Sequence, residues 1–197
     1  MCSRIINIGR QFGSGGKQIA ANIGERLGIK VYDREILLQA AKGSGLSPEF
    51  FEDFDEKRRL WSLGNIFGTN SESFFSDAEL FRVQSETIRR IAGAGDAIFV
   101  GRASNYALRD MRCLNVFVCA PEQIRAERVS AREGITPEEA REVIRKKDRA
   151  RARFYNFFTF EEWGMASSYD LCLDSSVLGI EESASFIIDF GKKTGIL

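Results

Sequence analysis

Residues 5–20 read Ile-Ile-Asn-Ile-Gly-Arg-Gln-Phe-Gly-Ser-Gly-Gly-Lys-Gln-Ile-Ala, and this stretch decides the fold. Ile5, Ile6 and Ile8 form an apolar β-run that breaks at Gly9. After the turn, Ile19, Ala20, Ile23 and Leu27 recur at spacings of three and four, the period of an amphipathic helix. Strand, glycine-rich turn, lysine and helix together are a recipe for holding phosphate. Glycines let successive N–H groups face one concavity, the helix start adds partial positive charge, and Lys17 adds a full one. The match to G-x-x-x-x-G-K-[ST] is partial: Gly16-Lys17 is present, Gln11 occupies the first glycine position, and Gln18 stands where a hydroxyl would follow the lysine. A tight strand-to-helix turn without ligand is one competing reading. A dinucleotide fold is another, since Asp33 ends the next strand where a ribose-binding acid would lie. Gly13, Gly15 and Gly16 do not fit G-x-G-x-x-G, however, and Lys17 has no task in that motif.

Outward from this stretch, strand-like and helical segments alternate. Gly28 caps the first helix, Ile29–Tyr32 is a short second strand ending at Asp33-Arg34-Glu35, and helical patterns follow at 36–41 and 49–61. Residues 62–76 have linker character, and a helix is expected over 77–92. Ala97–Val100 is apolar throughout, the mark of a strand buried on both faces, and runs into Gly101-Arg102. A short helix precedes the strand Leu114–Val118, and Pro121 opens another helix. Thr136-Pro137-Glu138-Glu139 is a capping box that launches a helix to about residue 153. A final strand at Tyr169–Leu173 and a helix over 179–190 close the chain. The alternation predicts a parallel sheet with helices on both faces, with ligands beyond the carboxyl ends of the strands. The loop at 9–17, Asp33-Arg34 and Gly101-Arg102 all fall at such ends.

Bulk composition narrows the function. The chain has 197 residues with 28 basic and 28 acidic side chains, so no excess positive charge recommends a polymeric nucleic-acid partner. The absence of histidine excludes His-dependent triads and His-ligated metal motifs, and no metal-ligating set is assigned. The four cysteines are scattered, three in or beside apolar runs, and are expected as buried free thiols in a reducing cytoplasm. No run is long enough to span a membrane and no secretory leader is read, so no membrane partner is expected. The densest charge is Arg145, Lys146, Lys147, Arg149, Arg151 and Arg153 around a single Asp148. Arg145, Arg149 and Arg153 lie four apart on one stripe, where like charges repel, so an anion is a reasonable occupant and a solvated face the alternative. The aromatic run Phe154–Trp163 that follows is expected to be core.

In this order, Ile-Asn-Ile-Gly-Arg-Gln-Phe-Gly-Ser-Gly-Gly-Lys (6–17), Tyr-Asp-Arg-Glu-Ile (32–36), Ile-Phe-Val-Gly-Arg-Ala (98–103), Val-Phe-Val-Cys-Ala-Pro (116–121), Lys-Lys-Asp-Arg-Ala-Arg-Ala-Arg-Phe-Tyr (146–155) and Tyr-Asp-Leu-Cys-Leu-Asp-Ser (169–175) resemble the cytidylate kinase-like proteins of the P-loop nucleoside monophosphate kinase group. The resemblance implies a three-layer α/β P-loop kinase fold with a five-stranded parallel sheet. It implies a core of residues 1–33, 91–144 and 164–197, an inserted helical monophosphate-binding lobe at about 34–90 and an arginine-rich lid at about 145–163. Gly13, Ser14, Gly15, Gly16, Lys17 and Gln18 would cradle the phosphates of ATP, with Mg²⁺ as the accompanying ion. Lys17, Arg149 and Arg153 would be the catalytic cations, and Asp33, Arg34, Arg102 and Asp148 would face the acceptor. The implied activity is ATP-dependent phosphoryl transfer to a small acceptor, CMP or dCMP, by a cytoplasmic monomer or homodimer. Three features depart from the cytidylate kinase pattern: Gln18-Ile19 replaces Gly-Thr, Ala103 replaces the aspartate of Gly-Arg-Asp, and the lid lacks the Arg-Asp-x-x-Asp-x-x-Arg spacing, with Asp148 the one acid of 145–153. Two alternatives therefore stand beside it, a non-catalytic nucleotide-binding or regulatory protein and a same-fold kinase for a non-nucleotide metabolite.

Overall fold

In the computed structural model, which describes residues 3–33 and 71–197 (side chains of 71–77, 79 and 80 excepted), the apolar segments pair into one parallel sheet. β1 (Ile5–Arg10) leads into α1 (Gly16–Leu27) and β2 (Val31–Tyr32). α2 (Ser71–Ala94) precedes β3 (Ala97–Val100), and α3 (Ser104–Ala107) precedes β4 (Leu114–Cys119). α4 (Glu122–Glu133), α5 (Pro137–Thr159), β5 (Leu171–Asp174) and α6 (Ser175–Lys193) complete the order. The strands lie as β2-β3-β1-β4-β5, every pairing parallel, with Ile8 opposite both Val100 and Val116. β1 is thus central, and the turn that follows it opens at the middle of the sheet.

Side chains alternate across the sheet and both faces are buried. Ile6, Ile8, Ile98, Val100, Val116 and Val118 pack with α1 and α6 on one face, while Ile5, Ala97 and Phe99 pack with α2 and α3 on the other. Ile98 is 0% exposed, so truncation to alanine there costs about 3 kcal/mol. A third cluster, Ala126, Val129, Ala140 and Ile144, joins α4 to α5. The Thr136 capping box forms as the sequence predicts: Thr136 Oγ1 accepts from Glu139 N–H, and the Glu139 carboxylate accepts from Thr136 N–H at 2.8 Å.

Several boundaries differ from the sequence reading. Residues 71–76 are not linker: they are the first residues of α2, whose serines are weak helix formers overridden by the longer element. α5 continues past residue 153 to Thr159 and ends with Phe160 in a left-handed conformation. The aromatic run is only partly core: Tyr155 is 4% exposed, but Phe160 is 92% exposed. The thiols also divide. Cys113 is buried, and that burial pushes its pKa up to about 11, whereas Cys172, expected to be buried, is exposed on the edge strand β5. The helical patterns at 36–41 and 49–61 and the rest of the stretch at 62–70 lie outside the described residues. Among the described residues, no helix is long and apolar enough to cross a membrane.

Candidate functional site

The carboxyl ends of β2, β3 and β1 converge on one crevice, and the turn from β1 to α1 forms its floor. Gly13 and Gly15 both adopt φ +81, a conformation open to glycine at little cost. Gly15 is the N-cap residue of α1 and provides no side chain, so the first N–H groups of the helix are left for an anion. A Cβ on Gly15 would overlap Ile180 Cδ1, so α6 packs directly against the turn.

The outer side of the turn is tied to the scaffold at nearly every residue. Gln11 N–H donates to Val118 O at 3.0 Å, and Gln11 Oε1 accepts from Ala120 N–H at 3.2 Å. Ser14 Oγ donates to Gln11 O, and Ser14 O accepts from Ser175 Oγ at 2.6 Å. Arg128 in turn donates to Ser175 Oγ at 2.9 Å. Phe12 is held on both sides of its peptide: its N–H donates to Asp148 Oδ1 at 2.7 Å, and its carbonyl accepts from Arg125 Nη1 at 3.2 Å. The same Arg125 nitrogen meets Asp148 Oδ2 at 2.6 Å, in an ion pair whose side chains are 9% and 16% exposed. Arg125 Nε donates to Ala120 O, which completes the satisfaction of a buried charge. The Phe12 ring lies between the guanidinium groups of Arg132 and Arg151, at 5.1 and 5.4 Å.

The inner side carries charge. Lys17 Nζ lies 2.7 Å from Asp33 Oδ2, with the lysine side chain 73% exposed and the carboxylate 17% exposed. At the end of β3, Gly101, Arg102 and Ala103 have φ of 72, 63 and 52, three left-handed residues in succession, two of them not glycine. Such backbone is sparsely populated and clusters at working sites. It turns Arg102 so that Nε donates to Gln84 Oε1 at 2.8 Å and the guanidinium stacks 4.5 Å from the Phe154 ring. Arg10, the last residue of β1, lies between these groups. A Cβ on Gly16 would come 2.6 Å from Arg10 Cβ, and a Cβ on Gly101 would overlap Arg10 Nη1. Burial first, then Arg151 and Arg102, lower the Arg10 pKa to about 9 against the opposing pull of Asp33 and Asp148.

The residues expected from sequence thus separate. Gly13 to Gln18, Asp33 and Arg102 meet at the crevice. Asp148 reaches the loop from α5 as a partner of Phe12 and Arg125. Arg149 and Arg153 are exposed on α5, while Arg151, between them, donates to Arg10 O at 2.9 Å. Arg34 lies outside the described residues. Sequence reading passed over Arg10, Arg125 and Arg151. Arg10 occupies a spacer position of the glycine turn, and Arg125 and Arg151 look like ordinary helix charges until their partners are known.

The residues present fit a nucleotide polyphosphate. Uncapped helix N–H groups, left-handed glycines and Lys17 surround one concavity. A Mg²⁺ ion would be held through phosphates and water, with the Gln18 amide where the loop pattern has a hydroxyl, because among the described residues no three carboxylate or thiol side chains gather to ligate a metal.

Residues 5–177 match the profile of the cytidylate kinase-like family. A cytidylate kinase of Methanopyrus kandleri is 30% identical over 195 residues, covering 94% of this chain and 91% of the relative. One from Pyrococcus horikoshii is 29% identical over 174 residues, covering 87% and 80%. A solved structure of an uncharacterized protein from Eubacterium ventriosum superposes with a TM-score of 0.74 at 25% identity, covering 94% of this chain and 96% of the other. The shikimate kinase of Bacteroides thetaiotaomicron, at 14% identity and a TM-score of 0.56 over 95% and 98% of the two chains, shares the fold.

Proposed function

The chain belongs to the cytidylate kinase-like family, a family of kinase phosphotransferases, and we propose that it moves the γ-phosphoryl group of ATP to a pyrimidine nucleoside monophosphate, CMP or dCMP. The observation that carries this reading is the crevice itself. A glycine turn with an uncapped helix start and Lys17 faces Asp33 and Arg102 at the ends of the two neighbouring strands. Donor phosphates would lie on residues 13–18, and Lys17 would leave Asp33 for the transferring group. Asp33, Arg34 and Arg102 would address the acceptor from the β2 and β3 side. Arg149 and Arg153 would approach from α5 when residues 145–163 act as a lid over a lobe formed by about 34–90. Asp148, already held by Phe12 and Arg125, would position the loop under that lid. Mg²⁺, when bound with ATP, would supply charge neutralisation at the β- and γ-phosphates. Catalysis is then positioning and electrostatics, with no covalent enzyme intermediate.

The test is ADP release, coupled to a spectroscopic readout, against a panel of nucleoside monophosphates with and without Mg²⁺. CMP or dCMP should give the highest kcat/KM. Absence of an acceptor-dependent signal with every monophosphate would overturn the proposal. Gln18 favours a second reading, nucleotide binding without turnover, and calorimetry showing ATP affinity in that silent case would select it.

A further inference from the structure

Among the described residues, the charged groups around the glycine turn have partners that explain their positions, with one exception. Arg125 meets Asp148, Phe12 O and Ala120 O. Arg128 meets Ser175, Arg151 meets Arg10 O, and Arg102 meets Gln84 and the Phe154 ring. Among the described residues, no hydrogen bond or ion pair engages the guanidinium of Arg10. Yet it is not left to wander in solvent. Its stem runs past Gly16, and its terminal nitrogens lie on Gly101 in a space that any side chain at 101 would fill. Gly101 N–H donates to Ile8 O at 3.0 Å, so this seat is fixed to the central strand. Arg151 and Arg102 crowd the same region with like charge. A half-buried guanidinium among other arginines, with none of its donors used by the described residues, opposes folding stability. Five donors in a planar fork are also the arrangement that best matches phosphoryl oxygens.

We propose that Arg10 is a catalytic phosphate-binding residue: its guanidinium, seated on Gly101 between the glycine turn and the end of β3, grips the phosphoryl group as it passes from donor to acceptor. The inference rests on the phosphoryl-transfer reading and adds a residue to it. In the transfer, an acceptor oxygen forms a bond to the γ-phosphorus. The bond from that phosphorus to the β–γ bridging oxygen breaks, and the electron pair leaves on ADP. Arg10 keeps its proton throughout and neutralises charge on the phosphoryl oxygens. Placed on the seam between β1 and β3, it lies between the glycine turn and the acceptor side of the sheet, whereas Arg149 and Arg153 sit exposed on α5.

The experiment measures inorganic pyrophosphate and ATP binding by calorimetry, and turnover, for the wild-type chain, Arg10→Met, Arg10→Lys, Gly101→Ala and the Arg10→Met/Gly101→Ala double variant, each shown to be folded by its thermal transition. Arg10→Met should weaken pyrophosphate binding at least tenfold and lower kcat at least a hundredfold. Arg10→Lys should recover part of the affinity but little of kcat, since an ammonium cannot reproduce the fork. Gly101→Ala keeps the charge and blocks its seat, so it should weaken binding by itself but add nothing to Arg10→Met. Wild-type pyrophosphate affinity in Arg10→Met would overturn the assignment of Arg10 alone, as would additive losses in the double variant. A wild-type chain that binds neither pyrophosphate nor ATP would remove the phosphoryl-transfer reading and this inference with it.

Discussion

The two sides of the glycine turn treat charge in opposite ways. On the outer side, Arg125 and Asp148 form a buried pair whose remaining donors and acceptors are used by Phe12 and Ala120. On the inner side, Lys17, Arg10 and Arg102 bring positive charge to a crevice edged by the carboxylate of Asp33, on strained backbone at 101–103. The outer arrangement is that of a scaffold, in which a charge is buried only with its partners. The inner one, under the proposed function, would gain further counter-charge from a bound phosphate. The difference shows how a loop can be rigid and yet hold open donors: its fixed bonds are made by residues 11, 12 and 14, while the N–H groups at the start of α1 carry no side-chain cap.

The sharpest way to break this contrast is at Lys17. Its side chain is largely exposed and meets Asp33 at the surface of the crevice, so the fold does not depend on it. Lys17→Ala should leave the thermal transition within a few degrees of wild type and lower kcat/KM about a thousandfold, roughly 4 kcal/mol of transition-state stabilisation. Steady-state kinetics beside a melting curve decide it. Unchanged turnover would mean that the inner charges are not catalytic.

On the outer side the expected loss falls on stability. Arg125→Met removes the closest partner of a carboxylate that is 16% exposed, leaving Asp148 with the Phe12 N–H and a longer contact to Arg151 at 4.0 Å. Urea denaturation should show a loss of about 3 kcal/mol, and Arg125→Met combined with Asp148→Leu should recover much of it, because the poorly compensated, partly buried charge is then gone. A loss below about 1 kcal/mol would mean that the clamp does not hold the turn.

These predictions also mark where sequence stops being legible. The strand pattern of Ile5, Ile6, Ile8 and Ala97–Val100, the cap at Gly28 and the Thr136 capping box could be read because each is a local signal whose cause lies within a few residues. The glycines of the turn and Lys17 were legible for the same reason. Arg10 was not, because its meaning depends on Gly101, ninety-one positions away and brought alongside only by the pairing of β1 with β3. The basic stripe misleads in a related way. Periodicity marks Arg145, Arg149 and Arg153 as a set, yet α5 is rotated so that Arg151 faces the turn and reaches Arg10 O. Helical period fixes which residues share a face, but the neighbour that covers the face is set by tertiary packing.

Left-handed backbone offers a finer comparison. Ala103 at φ 52 lies 4% exposed beside Arg102, whereas Phe160 at φ 58 ends α5 with a ring that is 92% exposed. Phe160→Gly relieves the strain with almost no packing lost, so stability should rise by about 1 kcal/mol in urea denaturation with pyrophosphate affinity unchanged. Ala103→Gly relieves similar strain but loosens the turn that aims Arg102, so turnover should fall even where stability does not. Equal behaviour of the two variants in turnover would show that the strain at 101–103 has no part in the site.

The smallest effect belongs to a pair at the other end of the sheet, which shows what an ion pair is worth without burial. Asp96 accepts from Arg4 N–H at 2.7 Å and from Arg4 Nε at 2.7 Å, joining the starts of β1 and β3, with side chains about a third exposed. The Arg4 backbone N–H, then its side chain, hold the Asp96 carboxyl below its ordinary value. A lowered carboxyl pKa gives stability that is present above the unfolded value, near 4, and is lost as pH falls through the folded one. Solvent screening limits that contribution to about 0.5 kcal/mol. Asp96→Asn should therefore cost about 0.5 kcal/mol at pH 7, less in high salt, and the difference from wild type should shrink as pH falls below 4. A cost at pH 7 as large as that of Arg125→Met would mean that burial is not what separates the outer clamp from a surface pair, and the contrast between scaffold charge and site charge would need another cause.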